Sequence, residues 1–299
     1  MKGAVLYVAH DALHLSLTVA FAFILSLFFL HFNSLFRKHY ACKISFNQSI
    51  QKYTRQVRKM SLFAIADLHL STLETTDKSM EVFGRRWDGY MTRLQQNWKH
   101  LVSDSDTVVI PGDISWALSL EEAISDLKFI DALPGRKILG KGNHDFWWST
   151  MKKHAELFAR EEINTVSFLF NNAHEAGDFI IAGTRGWYHD EDLKWGGTNA
   201  DFDKLTRREG QRLKTSLDAA LALSQRTGKE IRVFTHFPPF WSGKASEGMI
   251  ELLSKYEIKQ LYFGHIHGNY TVPSSFEYEG IKMDIISADY LNFIPKIIK

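Results

Sequence analysis

From residue 60 onward the sequence predicts an α/β domain in layers (α+β layered), with a metal site at its strand ends, and three observations carry that reading. Short apolar runs alternate with stretches of helical spacing, the pattern of sheets covered by helices. Side chains that bind metals recur at the ends of the apolar runs: Asp67-Leu68-His69, Gly112-Asp113, Lys141-Gly142-Asn143-His144-Asp145, His236 and Gly264-His265-Ile266-His267. Loops leaving the carboxyl ends of neighbouring strands converge in space, so ligands placed there can build one site.

In chain order, 61–66 reads as a buried strand into Asp67, and 107–110 as a strand into Gly112-Asp113. Between them, 90–102 has helical spacing through Leu94, Trp98 and Leu101. Ser119 with Glu122 three residues later forms a capping-box pattern for a helix carrying Ala123, Ile124, Leu127 and Ile130, and Pro134-Gly135 ends it. Residues 137–139 form the strand entering the Gly142-Asn143-His144-Asp145 block. A helix over 150–159 follows, then strands at 166–170 and 179–182, a Gly- and aromatic-rich loop over 184–199, and a long helix over 202–225 through Leu205, Leu213, Leu217 and Leu221. Residues 231–234 precede His236, residues 258–263 precede His265, and runs at 270–272 and 281–286 are expected to close the chain as a hairpin.

Composition narrows the function. The formal charge of +2 conceals an asymmetry, because residues 1–59 hold eight Lys/Arg against one Asp, leaving 28 Lys/Arg against 33 Asp/Glu beyond them. An acidic main domain argues against broad nucleic-acid binding, which needs a basic footprint on phosphates. The single cysteine, Cys42, excludes an intrachain disulfide and a thiolate metal site.

Residues 13–32 are apolar and free of Asp, Glu, Lys and Arg over about the 20 residues a membrane-spanning helix needs. Arg37, Lys38, Lys43, Lys52, Arg55, Arg58 and Lys59 follow this stretch and only Lys2 precedes it, which places the catalytic domain on the cytoplasmic side of a single-pass anchor. An alternative start at Met60 leaves a soluble cytoplasmic protein with its catalytic domain whole. Residues 1–59 are thus a basic leader and 60–299 the catalytic domain.

Asp and His with no usable thiolate suit Mn²⁺, Zn²⁺ or iron, with manganese the first expectation. Two such ions about 3.5–4 Å apart need a bridging carboxylate and can hold the attacking and leaving oxygens of an in-line displacement at phosphorus. Asp113 is the natural bridge. The ordered set Asp-x-His, Gly-Asp, Gly-Asn-His-Asp, His and Gly-His-x-His resembles the calcineurin-like metallophosphoesterase superfamily, over residues 61 to about 287 and with all five blocks intact. The resemblance implies a β-sandwich flanked by α-helices. It implies that Asp67, His69 and His267 hold one metal, and Asn143, His236 and His265 the other, with Asp113 shared. It further implies that a hydroxide between the metals is the nucleophile, that His144 protonates the leaving oxygen or stabilises phosphoryl charge, and that Asp145 orients its ring.

The substrate expected is a small phosphorylated molecule, a phosphomonoester or phosphodiester. Arg85, Arg86 and Arg185 are candidate phosphate partners, with Lys141 beside them, because guanidinium and ammonium groups complete charge neutralisation. Trp147, Trp148 and Trp187, with Trp116, Phe146, Tyr188, Phe237, Phe240 and Trp241, are candidates for an aromatic rim. Two alternatives differ in class. Hydrolysis of a pyrophosphate bond in a nucleotide-linked lipid would suit the anchor, but that family usually carries Arg where His144 stands. A protein-binding scaffold on the same fold would typically have lost ligands, and none is lost here.

Overall fold

Successive residues of a strand face opposite sides of its sheet, and the apolar clusters they enter fix the layers. In the strand Leu62–Ala64 (β1) and the residues that extend it, Leu62, Ala64 and Ala66 belong to one apolar cluster while Phe63 and Ile65 belong to another. Strands buried on both faces lie inside a stack, with sheet against sheet on one side and sheet against helix on the other. The computed structural model describes residues 60–72, 80–187 and 199–299, and Met60–Lys299 forms one compact unit. The apolar stretch at 13–32, the basic flank after it, and Tyr188 with most of the 184–199 loop lie outside the described residues. Among the described residues no helix is long and apolar enough to cross a membrane.

The first sheet has five strands. Thr107–Pro111 (β2), Arg136–Gly140 (β3) and Val166–Phe168 (β4) run parallel to β1, and Lys296–Ile298 (β13) pairs antiparallel with β1 at the edge, Leu62 opposite Ile298. The second sheet has six: Ser275–Tyr278 (β11), Ile281–Ile285 (β12), Gln260–Phe263 (β10), Glu230–Thr235 (β7), Phe179–Thr184 (β6) and His174–Ala176 (β5), in that spatial order. Its four inner strands are parallel and its two edges antiparallel. A parallel bridge between Ala66 and Ser287, with Ala66 N–H on Ile286 O at 2.7 Å, joins the two sheets beyond the ends of β1 and β12.

Between the sheets lie Leu62, Ala64, Val109 and Ile138 from the first and Ile181, Phe234 and Tyr262 from the second. The outer face of the first sheet is covered by Tyr90–Leu101 (α1), Ile124–Asp131 (α2) and Met151–Glu161 (α3), which bury Leu94, Trp98, Leu127, Ile130 and Leu157. Each such side chain stabilises the fold by about 1.5–3 kcal/mol. Asn199–Thr227 (α4) and Glu247–Lys255 (α5) cover the second sheet through Leu213, Leu217, Ala220, Ile250 and Leu253. The chain is therefore a mixed α/β domain of two mixed sheets flanked by helices.

The expected capping box does not cap the helix: Ser119 Oγ accepts from Glu122 N at 3.3 Å and the Glu122 carboxylate takes the N–H of Leu118 at 2.8 Å, but these bonds close a turn ahead of Ile124–Asp131, whose N-cap is Ala123 and has no side-chain bond. The closing hairpin is not the expected one. Residues 270–272 form a turn, and the partner of Ile281–Ile285 is Ser275–Tyr278, whose alternation is too polar to stand out. The long helix gains about a turn in front of the expected start, and β13 is an addition that three residues with a leading lysine do not announce.

Candidate metal centre

Every parallel strand that leads to a candidate ligand delivers it just past its carboxyl end. Asp67 and His69 follow β1, Asp113 follows β2, Asn143 follows β3, His236 follows β7, and His265 and His267 follow β10. The ladder between the first two strands persists into the ligand loops, with Asp67 N–H on Gly112 O at 3.0 Å and His69 N–H on Asp113 O at 2.9 Å. Four of the ligands depart from ordinary backbone geometry. Asp67, His69, Asp113 and His265 have φ of 59°, 45°, 51° and 69°, a left-handed conformation costly for residues with a Cβ and typical of functional sites.

Two glycines permit the close approach. A Cβ at Gly142 would lie 2.0 Å from Asp113 Oδ1, and one at Gly264 would lie 2.5 Å from Asp67 Oδ2, so a side chain at either would displace a ligand.

The donor atoms converge. Those of Asp67, His69 and His267 lie within 4.8 Å of one another, and so do those of Asp67, Asp113 and His236. Asp113 Oδ2 stands between two imidazoles, 3.7 Å from His69 Nε2 and 3.4 Å from His236 Nε2. Asn143 Oδ1 lies 2.6 Å from His236 Nε2 and 3.1 Å from His265 Nδ1. All seven implied ligands are thus in one cluster. Asp67 enters both trios, whereas the resemblance implied sharing at Asp113 alone.

The electrostatics suit cations. Burial, then the neighbouring His267, His144 and His265, holds His69 well below the usual imidazole range; burial, then His265, does the same to His236. Both rings are neutral, the form that ligates. Burial, with Asp145 and Asp67 adding like charge, pushes Asp113 well above the usual carboxylate range. Burial would depress His267, but Asp67 and Asp289 outweigh it and raise the ring to about 10; carboxylates that favour a proton there favour a metal ion as well. His236 Nδ1 is buried without a hydrogen-bond partner among the described residues, 3.5 Å from Asp67 Oδ1. A crowded set of imidazoles and carboxylates with an orphaned ring nitrogen fits two divalent ions of the hard-to-borderline kind.

His144 borders this cluster. Its backbone N–H holds Asp113 Oδ1 at 2.8 Å, leaving Oδ2 for the imidazoles, and its ring lies 5.6 Å from that of His69 and 4.6 Å from Trp116. Trp116 stacks on His69 at 4.8 Å and Phe237 packs on His265 at 4.4 Å, so these two rim candidates wall the ligands themselves.

Asp145 has a task that its place in the Gly142-Asn143-His144-Asp145 block does not announce. Its carboxylate accepts five hydrogen bonds, from the N–H groups of Asp113, Ile114, Ser115 and Gly142 and from the indole of Trp147, over 2.7–3.3 Å. These bonds clamp the loop after β2 to the loop after β3. Trp147, expected at the substrate rim, is buried by that same bond, and Trp148 turns into an aromatic cluster with His154 and Phe168. Both belong to the framework. Arg85 is exposed, and no contact of its side chain with the ligands is described. Arg86 donates to Asp289 O at 3.1 Å and lies over the Tyr270 ring at 3.9 Å. Arg185 is closer to the ligands: its carbonyl accepts the N–H of His236 at 3.1 Å, while its guanidinium covers Trp187 at 4.5 Å and pairs with buried Glu209 at 3.4 Å.

Asp289 escaped the sequence reading. Fully buried, it accepts from His267 Nδ1 at 2.9 Å, Gly268 N at 3.1 Å and the Tyr270 hydroxyl at 2.9 Å. The bond to Nδ1 fixes the tautomer of His267 and turns Nε2 towards the other donors. The signal was available, since Asp289 follows the carboxyl end of a parallel strand as the ligands do; assigning 281–286 to a terminal hairpin concealed it.

Among solved structures the chain is similar to a phosphopantetheinyl hydrolase (PptH) from Mycobacterium tuberculosis, with 15% identity, a TM-score of 0.47, and 80% of this chain and 96% of that one covered. It is similar to TT1561 of Thermus thermophilus, with 8% identity, a TM-score of 0.47 and coverage of 81% and 99%. A protein of unknown function from Aquifex aeolicus, AQ665, is similar at 16% identity, with a TM-score of 0.40 and coverage of 80% and 95%. No curated protein matches the sequence. The pattern of the calcineurin-like phosphoesterases matches residues 60–269, and on that match the chain belongs to this family of metal-dependent phosphoric-ester hydrolases.

Proposed function

We propose that the domain hydrolyses a phosphomonoester or phosphodiester with two divalent cations, manganese first and zinc or iron next. The observation that carries this reading is the convergence of seven donor residues from both sheets, with His144 at their border. Asp67, His69 and His267 would hold one ion, Asn143, His236 and His265 the other, and Asp113 would face both. Bound there, the ions supply charge neutralisation at the phosphoryl group and lower the pKa of water.

The chain's own residues do the rest. His144 is placed to give a proton to the departing oxygen. Its position is tied to the ligands through its backbone bond to Asp113 and through Trp116, which touches both His144 and His69. Arg185, whose carbonyl holds the His236 backbone and whose guanidinium rests on Glu209, would turn to a phosphoryl oxygen that the metals leave bare. The neutral rings of His69 and His236 offer lone pairs to cations, while the protons favoured on His267 and Asp113 leave when a cation takes their place.

The test is metal content by elemental analysis on the full chain, with hydrolysis of p-nitrophenyl phosphate and of its bis-ester across Mn²⁺, Zn²⁺, Fe²⁺, Ni²⁺ and Mg²⁺. About two ions per chain with turnover is the expected result. His144→Ala should keep both ions and lower turnover by about 10²–10⁴, the range of general acid–base assistance. Loss of metal in that variant would make His144 a structural member of the cluster, and a chain that binds no metal would favour the scaffold reading.

A further inference from the structure

The loops that carry His236 and His267 also build an apolar cavity that the hydrolytic chemistry leaves unused. It has a volume of about 270 Å³, and the walls are Phe240, Trp241, Val272, Pro273 and Phe276, with Ser242 and Asn269 as the polar members. Phe240 and Trp241 lie four and five residues beyond His236, Asn269 lies two beyond His267, and Trp241 meets Phe263, two residues before His265, so the loops that carry the ligands run on into the cavity wall. Its walls are built in advance. Phe240 and Trp241 form a short strand (β8) paired with Lys244–Ala245 (β9) across the two-residue turn Ser242-Gly243, whose φ values of 50° and 80° give a tight hairpin. Phe240 stacks on Tyr278 at 3.9 Å with the rings 10° apart, and Trp241 and Phe276 each meet the ring of buried Phe263 at 6.0 Å. Aromatic surface held open in this way gains free energy when an apolar group covers it.

We propose that this cavity receives the apolar organic portion of the phosphoester, an alkyl or aryl group of small-molecule size, while the phosphate lies at the metal centre. The proposal rests on the hydrolase reading given above. The volume is close to the lower end for small-molecule sites, about 300 Å³, and suits a short hydrocarbon chain or one ring. Walls that are mostly apolar, with one hydroxyl at Ser242 and one amide at Asn269, match a group that makes few hydrogen bonds. The substrate class is therefore an amphiphilic phosphoester rather than a phosphorylated sugar or inorganic pyrophosphate.

The experiment uses the full chain loaded with Mn²⁺ and two homologous series. Ethyl to octyl phosphates are followed by phosphate release, and the matching alkylphosphonates, which cannot be hydrolysed, by calorimetry. Specificity and affinity are expected to rise about two- to fourfold per added methylene until the cavity is full, as burial of methylenes requires. Phe276→Ala should flatten both series, and Val272→Asp, at the half-buried edge, is the second variant should the first fold poorly. Turnover with flat series in both assays would overturn the subsite and leave the hydrolase. Length-dependent phosphonate binding without turnover of any ester would sustain the subsite and overturn the hydrolase reading. Unchanged slopes in both variants would overturn the assignment of these walls.

Discussion

Asp145 stands behind the ligands of the first sheet and Asp289 behind those of the second, and the two carboxylates hold their halves differently. Asp145 spends its oxygens on four backbone N–H groups and one indole and touches the framework of the loops. Asp289 reaches a ligand ring directly, with one backbone N–H and a tyrosine hydroxyl completing its shell. The half held through its backbone contributes both carboxylates, the amide and one imidazole; the half held through a side chain contributes three imidazoles. Carboxylates repel one another and need their loops fixed, whereas an imidazole needs its tautomer chosen. Removing Asp145 should therefore register as lost stability, and removing Asp289 as lost metal affinity.

The largest effect belongs to Asp145→Ala, which strands several buried donors at about 1–3 kcal/mol each. A loss of about 4 kcal/mol or more in urea unfolding, at unchanged slope, is expected for the metal-free protein; a loss under about 1 kcal/mol would remove the clamp from the comparison.

Next comes acid stability, which should be weakest on the same side of the molecule. Burial lowers His154 to about 4, and the ring accepts from Ser149 N at 3.1 Å beneath Trp147 and Trp148. Neutral in the fold, it is protonated in the unfolded chain near pH 6.5, so its contribution is intact above pH 6.5 and is lost as pH falls through 4. His154→Gln cannot titrate but can still accept the bond. The fall in stability between pH 7 and pH 4 should shrink by about 3 kcal/mol in this variant, as measured by unfolding at each pH. An unchanged pH slope would place the acid-labile point elsewhere.

The smallest effect sharpens the contrast most. Asp289→Asn should weaken metal binding by about 10- to 100-fold in chelator competition, with turnover recovering as metal is added in excess. Tyr270→Phe removes a single hydrogen bond from the same carboxylate and should shift metal affinity by less. A turnover defect that saturating metal does not relieve would mean that Asp289 acts on something other than His267.

These two carboxylates also mark how far the sequence could be read. The ligands were legible because each ends an apolar run, and a parallel strand must discharge its chain at the sheet's carboxyl edge. Continuous apolar runs showed that strands such as β2 and β10 are buried, and helical spacing placed α1 through Leu94 and Trp98. Partnership across long separations was not legible. Asp145 sits two residues from Asn143 in a block that announces metal chemistry, yet its bonds reach back some thirty residues to the loop after β2. Trp147 looks like a substrate contact until that bond draws its indole inside. Asp289 has no block of its own, and Ser275–Tyr278 becomes a strand only because Ile281–Ile285 offers it an edge. Local pattern locates elements and donors, while tertiary bonds decide which of two neighbouring polar groups faces the site.

The pairing of β13 with β1 sets an order in time. Lys296–Ile298 closes the outer edge of Leu62–Ala64, the strand from which Asp67 and His69 depart. A ribosome delivers β1 first and β13 almost the whole domain later. During synthesis β1 is therefore a bare, hydrophobic edge, the kind of surface that recruits other chains. The strand before the metal-binding loop gains this edge only when Lys296–Ile298 emerge, so assembly of the centre waits on a segment that follows all of its ligands in the chain.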